Sequence, residues 1–217
     1  MCLCKPRCFA IALVFTAGLA SAAWLSSGTE VGASTPAASA RLEAALEVKQ
    51  FTVDPVHSAA IFGIEWGGMT PFYGQFNTFS GTVTYDGQDV STFSCDIAIP
   101  LDGIDTHNEQ RDRHLKSPDF FNAREYPNIS FKSTKLTDNG DGTWTLAGDL
   151  TMRGNTHPVE GKVTHLSTKA GQGGERCGIS ATFTIKRSQW EVDHMVGQGL
   201  GDDVTLMVSI QSAAQGA

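Results

Sequence analysis

The sequence predicts an all-β domain, an antiparallel sheet that either closes on itself or folds into a sandwich. Three observations carry this. From about residue 48 onward, short segments alternate apolar and polar residues with a period of two. Gly, Asn, Asp and Pro, the residues that turns demand, separate these segments. No helical crossovers intervene, which excludes parallel βαβ units. About eight such strands fit into the domain, and one apolar face per strand is the mark of a sheet with a single buried side.

Taken in order, Ala60–Trp66 places Phe62, Ile64 and Trp66 on one face. Phe93, Cys95, Ile97 and Ile99 share the next, with Ser94 and Asp96 opposite. Ile129 and Phe131 point together in the following strand. Asp138-Asn139-Gly140-Asp141-Gly142 is a hairpin signal, because Asn-Gly and Asp-Gly tolerate positive φ. Beyond it Trp144, Leu146, Leu150 and Met152 face one way, and Thr145, Asp149 and Thr151 the other. Ile179, Ala181, Phe183 and Ile185 form another apolar edge, and Val204, Leu206, Val208 and Ile210 alternate with polar residues in the last strand. If the sheet closes, these faces have only the interior to occupy. The expected lining is then Phe62, Ile64, Trp66, Ile97, Ile99, Phe131, Trp144, Leu146, Leu150, Met152, Phe183, Ile185, Val204, Leu206 and Val208. Trp66, Trp144 and Trp190 could border a cavity or fill a core. One stretch breaks the alternation: residues 106–123 mix charges densely and read as a loop with a short helix, packed down by Phe120 and Phe121.

The N-terminus reads as an address. Lys5 and Arg7 precede an apolar run from Phe9 to Leu19, and Ala20-Ser21-Ala22 is a small-x-small cleavage site. Residues 1–22 are therefore expected to be a signal peptide, with a retained membrane anchor as the alternative. Residues 23–47, rich in Ser, Ala, Thr and Gly, read as a flexible linker in which residues 40–47 could form two helical turns. The domain is expected over 48–212, with a tail at 213–217. Cleavage would move the formal net charge from −7 to −9, and so acidic a chain argues against nucleic-acid partners. It would also leave two of five cysteines, Cys95 and Cys177, both on apolar faces. An even pair in an exported chain is compatible with a disulfide or with two buried thiols.

Motifs for chemistry are sparse. The sequence holds no G-x-S-x-G elbow, H-E-x-x-H, P-loop, dinucleotide fingerprint or C-x-x-C pair. His107, Glu109, Asp112 and His114 include types that bind zinc or shuttle protons, but a charge-rich loop more often fixes itself to its scaffold. His57 and His157 adjoin turns and read as hydrogen-bonding loop residues.

Three stretches resemble one family. Thr106-His107-Asn108-Glu109-Gln110-Arg111-Asp112-Arg113-His114-Leu115-Lys116-Ser117-Pro118-Asp119-Phe120-Phe121, followed by Tyr126-Pro127-Asn128-Ile129-Ser130-Phe131, is similar to the T-x-x-x-x-R-D-x-H-L-x-S-x-D-F-F and Y-P-x-I-x-F runs of YceI-like lipid- and polyisoprenoid-binding proteins. Gly148 to Val159 resembles that family's G-x-L-T-x-R-G-x-T-x-P-V, and Asp54 to Ser58 its D-x-x-H-S. Arg187-Ser188-Gln189-Trp190-Glu191-Val192 stands where the family has R-S-D-(F/Y/W)-G-M. The resemblance implies an extended, lipocalin-like, eight-stranded antiparallel barrel with one or two short helices. It implies a periplasmic or secreted, non-enzymatic protein that holds a polyisoprenoid, such as a quinone tail, inside the barrel without cofactor or metal. The headgroup would sit at the rim near residues 107–114, and a transient contact with a membrane is compatible with this reading. Two competing readings are a metal-dependent enzyme built on His107, Glu109, Asp112 and His114, and a filled barrel acting as an interaction module.

Overall fold

A computed structural model of the chain describes residues 47–171 and 173–214. The expected signal peptide, nearly all of the linker with its helical turns, and residues 215–217 lie outside the described residues. Eleven strand segments follow one another: β1 (Lys49–Val53), β2 (Ala59–Trp66), β3 (Thr70–Phe76), β4 (Ser80–Tyr85), β5 (Ser94–Pro100), β6 (Ile104–Asp105), β7 (Asn128–Asp138), β8 (Trp144–Met152), β9 (Asn155–Gly171), β10 (Gly174–Lys186) and β11 (Leu200–Ala214). A helix, α1 (Glu109–Leu115), lies between β6 and β7. It is the short helix expected within residues 106–123. No helix among the described residues is long and apolar enough to cross a membrane.

The eleven segments make eight strands. β1 and β2 lie end to end along β11, Phe51–Val53 opposite Ala214–Ser212 and Ala59–Trp66 opposite Ser209–Leu200. β4 and β3 pair with them in turn, and β5 and β6 pair with β4 and β3. These are therefore three long, interrupted strands. With β7 to β11 they form an up-and-down antiparallel ring, closed where β1 meets β11. Closure pairs most of the edges that an open sheet of this length would expose to other chains, and among the described residues it leaves the short β6 paired on one side only.

The interruption between β1 and β2 has a visible cause. Asp54 turns the chain by accepting the Val56 N–H at 3.0 Å, and its backbone carbonyl accepts the Ser58 hydroxyl at 2.7 Å. Its carboxylate is also held by His57 at 2.8 Å and by Arg176 of β10 at 3.0 Å. Hydrogen bonds from His57 and Arg176 bring its pKa down to about 2. The D-x-x-H-S run is thus a bend clasped to a neighbouring strand.

Apolar faces point inward, as period-two alternation requires. The end of the barrel at the β4–β5 connection is filled: Phe51, Val83, Tyr85, Phe93 and Cys177 are buried there, with the Tyr85 and Phe93 rings edge to face at 6.0 Å. Toward the other end, three phenylalanines lie across glycines. A Cβ on Gly74 would stand 2.2 Å from the Phe62 ring, one on Gly148 2.4 Å from Phe131, and one on Gly161 2.5 Å from Phe183. Each ring occupies the place where the glycine lacks a side chain, so it lies along the wall. Cys95 and Cys177 are both buried and both free thiols, the second of the two possibilities left open by the sequence. Burial pushes their pKa values up to about 11 and about 12.

Candidate functional site

Two segments cross the end of the barrel opposite the filled one. The first joins β6 to β7 through α1, and the second, residues 187–199, joins β10 to β11. Beneath them lies a cavity of about 500 Å³, walled mainly by apolar side chains of β2, β3, β8, β10 and β11. A smaller space of about 90 Å³ continues inward and shares Ile99, Leu150, Leu206 and Val208 with it. The larger space falls in the range of small-molecule sites, roughly 300–1,000 Å³.

Fourteen of the fifteen residues expected on the inner face stand on these walls. Phe62, Ile64, Trp66, Met152, Ile185 and Val204 border the larger space, and Ile97, Phe131, Leu146 and Phe183 the smaller. Ile99, Leu150, Leu206 and Val208 border both. Trp144 does not. It is half-buried at the start of β8, beside the hairpin and opposite Val163, beyond the inner limit of the hollow. Trp66 keeps half its surface exposed, which puts it at the rim. Trp190 is fully buried outside the cavity, donating its indole N–H to the Leu150 carbonyl at 2.9 Å with His157 packed on its ring.

Few polar side chains face the cavity, and they gather at its mouth: Thr106, Arg111, His114 and Arg187. Thr106 is 1% exposed and is gripped by the helix that follows it. Asp112 accepts its backbone N–H at 2.9 Å and its hydroxyl at 2.5 Å. Arg111 donates to the Thr106 hydroxyl at 2.8 Å and to its carbonyl at 2.6 Å, and lies 4.1 Å from the Phe72 ring centroid. The T-x-x-x-x-R-D run therefore pins α1 over the opening, in a cation–π contact with the wall.

Arg187 is the unusual member. It is 4% exposed, and it donates to the carbonyls of Gly201 at 2.8 Å, Val192 at 2.6 Å and His194 at 3.0 Å. Its remaining terminal nitrogen, Nη2, is buried without a hydrogen-bond partner. Desolvation lowers its pKa, while Asp202 and Asp193 oppose that shift from a distance. A buried donor of this kind is costly unless something accepts its hydrogen.

The four residues of the competing, enzymatic reading are dispersed to separate tasks. His107 pairs with Asp105, Glu109 with Arg113 in solvent, and Asp112 with Thr106. His114 alone turns to the cavity mouth, where it meets Asp119 at 3.0 Å. His57 is engaged by Asp54. Sequence reading missed Arg187, although its signal was present: a charge two residues after Ile185, on the same apolar face. It also missed Phe72 and Phe76, because Gly74 interrupts their apolar run.

The model of the YceI-like domain matches residues 51–212, well over half of the chain. The chain belongs to the YceI-like family. UPF0312 proteins of Yersinia pestis (strain Pestoides F) and Vibrio parahaemolyticus are similar to this YceI-like protein. The Yersinia protein is 32% identical over 157 residues, 71% of this chain and 80% of the relative. The Vibrio protein is 31% identical over 142 residues, 64% and 74% of the two chains. Among solved structures, the YceI protein of Campylobacter jejuni superposes with a TM-score of 0.62 at 25% identity, covering 69% of this chain and 88% of that one. BcnA of Burkholderia cenocepacia superposes with a TM-score of 0.65 at 21% identity, covering 73% and 98%. A polyisoprenoid-binding domain from Saccharophagus degradans shares the fold at a TM-score of 0.57 and 13% identity, covering 77% and 99%.

Proposed function

We propose that this YceI-like protein is an exported carrier that holds one long apolar chain, a polyisoprenoid or quinone tail, in its barrel, and that it catalyses no reaction. The observation that carries this reading is the cavity: apolar along its walls, continued inward by a second apolar space, and polar only at the mouth. Each methylene buried there would contribute about 0.8 kcal/mol, so a few isoprene units outweigh the cost of association without a charged contact along the walls. The unpartnered Arg187 Nη2 would then meet a carbonyl, hydroxyl or phosphate at the polar end of the ligand. The likeness in fold to a protein described as polyisoprenoid-binding agrees with this. Export rests on the signal-peptide pattern of residues 1–22.

Binding is favoured over catalysis because His107, Glu109 and Asp112 are committed to local contacts, and over a filled barrel because the interior is hollow. The test begins with mass spectrometry of an organic extract of the natively purified protein, which should contain a long-chain isoprenoid lipid. Delipidated protein should then bind a long-chain quinone, read by quenching of Trp66 at the rim. Leu150 borders both spaces, so Leu150→Trp should block the channel by volume, and Leu150→Arg should place an uncompensated charge in it. Each should reduce binding at least tenfold in protein whose circular dichroism matches wild type. A lipid-free extract together with no saturable quenching would overturn the carrier reading.

A further inference from the structure

The mouth of the barrel brings together three side chains to which the carrier reading gives no task, two of them from the T-x-x-x-x-R-D-x-H-L-x-S-x-D-F-F run and one from the opposite connection. His114 lies in the last turn of α1, Asp119 follows it on the same connection, and His194 lies on the β10–β11 connection across the opening. Each offers one ligand atom, and the three atoms lie within 4.8 Å of one another. The His114 Nε2 to Asp119 Oδ2 distance is 3.0 Å, and the two imidazole rings are 5.3 Å apart and nearly perpendicular. Around an ion with bonds of about 2.0–2.2 Å in a tetrahedron, ligand atoms stand roughly 3.4 Å apart. The observed spacings are within reach of that by side-chain rotation.

The surroundings hold this arrangement in advance. The Phe120 ring packs edge to face on both imidazoles, at 5.0 Å from His114 and 4.9 Å from His194. Arg187 fixes the His194 carbonyl at 3.0 Å. Arg153, in the β8–β9 turn, donates to the carbonyls of both Phe120 and Glu191 and so ties the two connections together. We propose that His114, Asp119 and His194 form a site for one divalent first-row transition-metal ion, with zinc as the fitting probe. Two imidazoles and one carboxylate suit such an ion and leave a coordination position for water. Ligands from both connections would make the ion a clasp between the segments that cover the opening. The site stands independently of what the cavity carries.

The experiment uses the full chain, stripped with a chelator and titrated with zinc against a chromophoric competitor. Cysteines near the N-terminus give a background that survives every substitution, so the site is read as a difference of one equivalent. Loss of a supporting group beyond the ligands alone costs ~10–100-fold in metal affinity, so His114→Ala and His194→Ala should each weaken that equivalent by at least the upper figure. Asp119→Asn should weaken it in the same direction, and His57→Ala should leave it unchanged. Identical stoichiometry and affinity in wild type, His114→Ala and His194→Ala would overturn the proposal. The cobalt-loaded wild type provides a readout that needs no variant: a ligand-field spectrum from nitrogen and oxygen donors is expected. A spectrum made up only of thiolate charge-transfer bands would overturn the site as well.

Discussion

Replacing Arg187 with leucine removes one cation and abandons three carbonyls at once. The guanidinium spans the Gly201, Val192 and His194 oxygens at 2.8, 2.6 and 3.0 Å, and so organises the connection over the cavity. Hydrogen bonds to a charged group are worth about 1.5–3 kcal/mol each, and abandoning a buried partner costs about 1–3 kcal/mol. Against this, leucine spares the desolvation of a buried cation, which recovers part of the loss. A net destabilisation of about 3–5 kcal/mol follows for Arg187→Leu. At about 2–4 °C per kcal/mol for a domain of this size, the melting temperature should fall by roughly 10 °C. Arg187→Lys keeps the charge, but a single ammonium cannot serve three carbonyls from a planar fork, so about half that drop is expected. Differential scanning calorimetry measures both. The unpartnered Nη2 adds a second readout: Arg187→Lys should weaken a quinone ligand by roughly tenfold, or 1.4 kcal/mol, and leave a pure hydrocarbon of similar length unaffected. A melting point within about 2 °C of wild type for Arg187→Leu would show that the three carbonyls do not depend on this side chain, and the reasoning would fail.

Asp54, with its pKa lowered to about 2, contributes stability that is fully present above its unfolded value near 4 and is lost as pH falls through about 2. Urea melts of Asp54→Asn should therefore show a flatter dependence than wild type between about pH 4 and pH 2, and parallel curves would refute the clasp. Cys95 and Cys177, buried and with pKa values near 11 and 12, should resist a thiol reagent at pH 8 in the native chain. Both should react on denaturation without reductant, and a missing pair would reveal a disulfide.

Much of the fold was legible because alternation is a direct record of which side of a strand meets water. Val204, Leu206, Val208 and Ile210 declared their face without help, and the Asn-Gly and Asp-Gly pairs declared the hairpin. Legibility weakened where the inner face is thin in apolar side chains. β9 turns only Val159, Gly161 and Val163 inward over its first half, with Gly161 opposite Phe183, and so reads as polar along most of its length. The interruption between β1 and β2 was also hidden, because Asp54 and Ser58 resemble an ordinary loop until Arg176 is seen to reach Asp54. At the site, alternation located the walls but not their depth, and so it included Trp144, which lies past the hollow. His194 carried no local signal at all. Its relation to His114 arises from two connections meeting over an opening, a fact of topology that no window of sequence contains.

The phenylalanines laid across glycines bear on how such a barrel changes its contents. Eight strands enclose a space that side chains alone can fill, so hollowness must be maintained against ordinary packing. Here it is maintained by omission, since Gly74, Gly148 and Gly161 give Phe62, Phe131 and Phe183 somewhere to lie other than the middle. A single added methyl at Gly74 would push its ring off the wall and into the volume a guest would use. Capacity is therefore set at a handful of glycine positions, each one substitution away from a different internal shape. The outer surface, the strand register and the mouth need not change. A lineage with this architecture can thus refit its interior for longer, shorter or bulkier guests, or close it altogether, while remaining the same fold from outside.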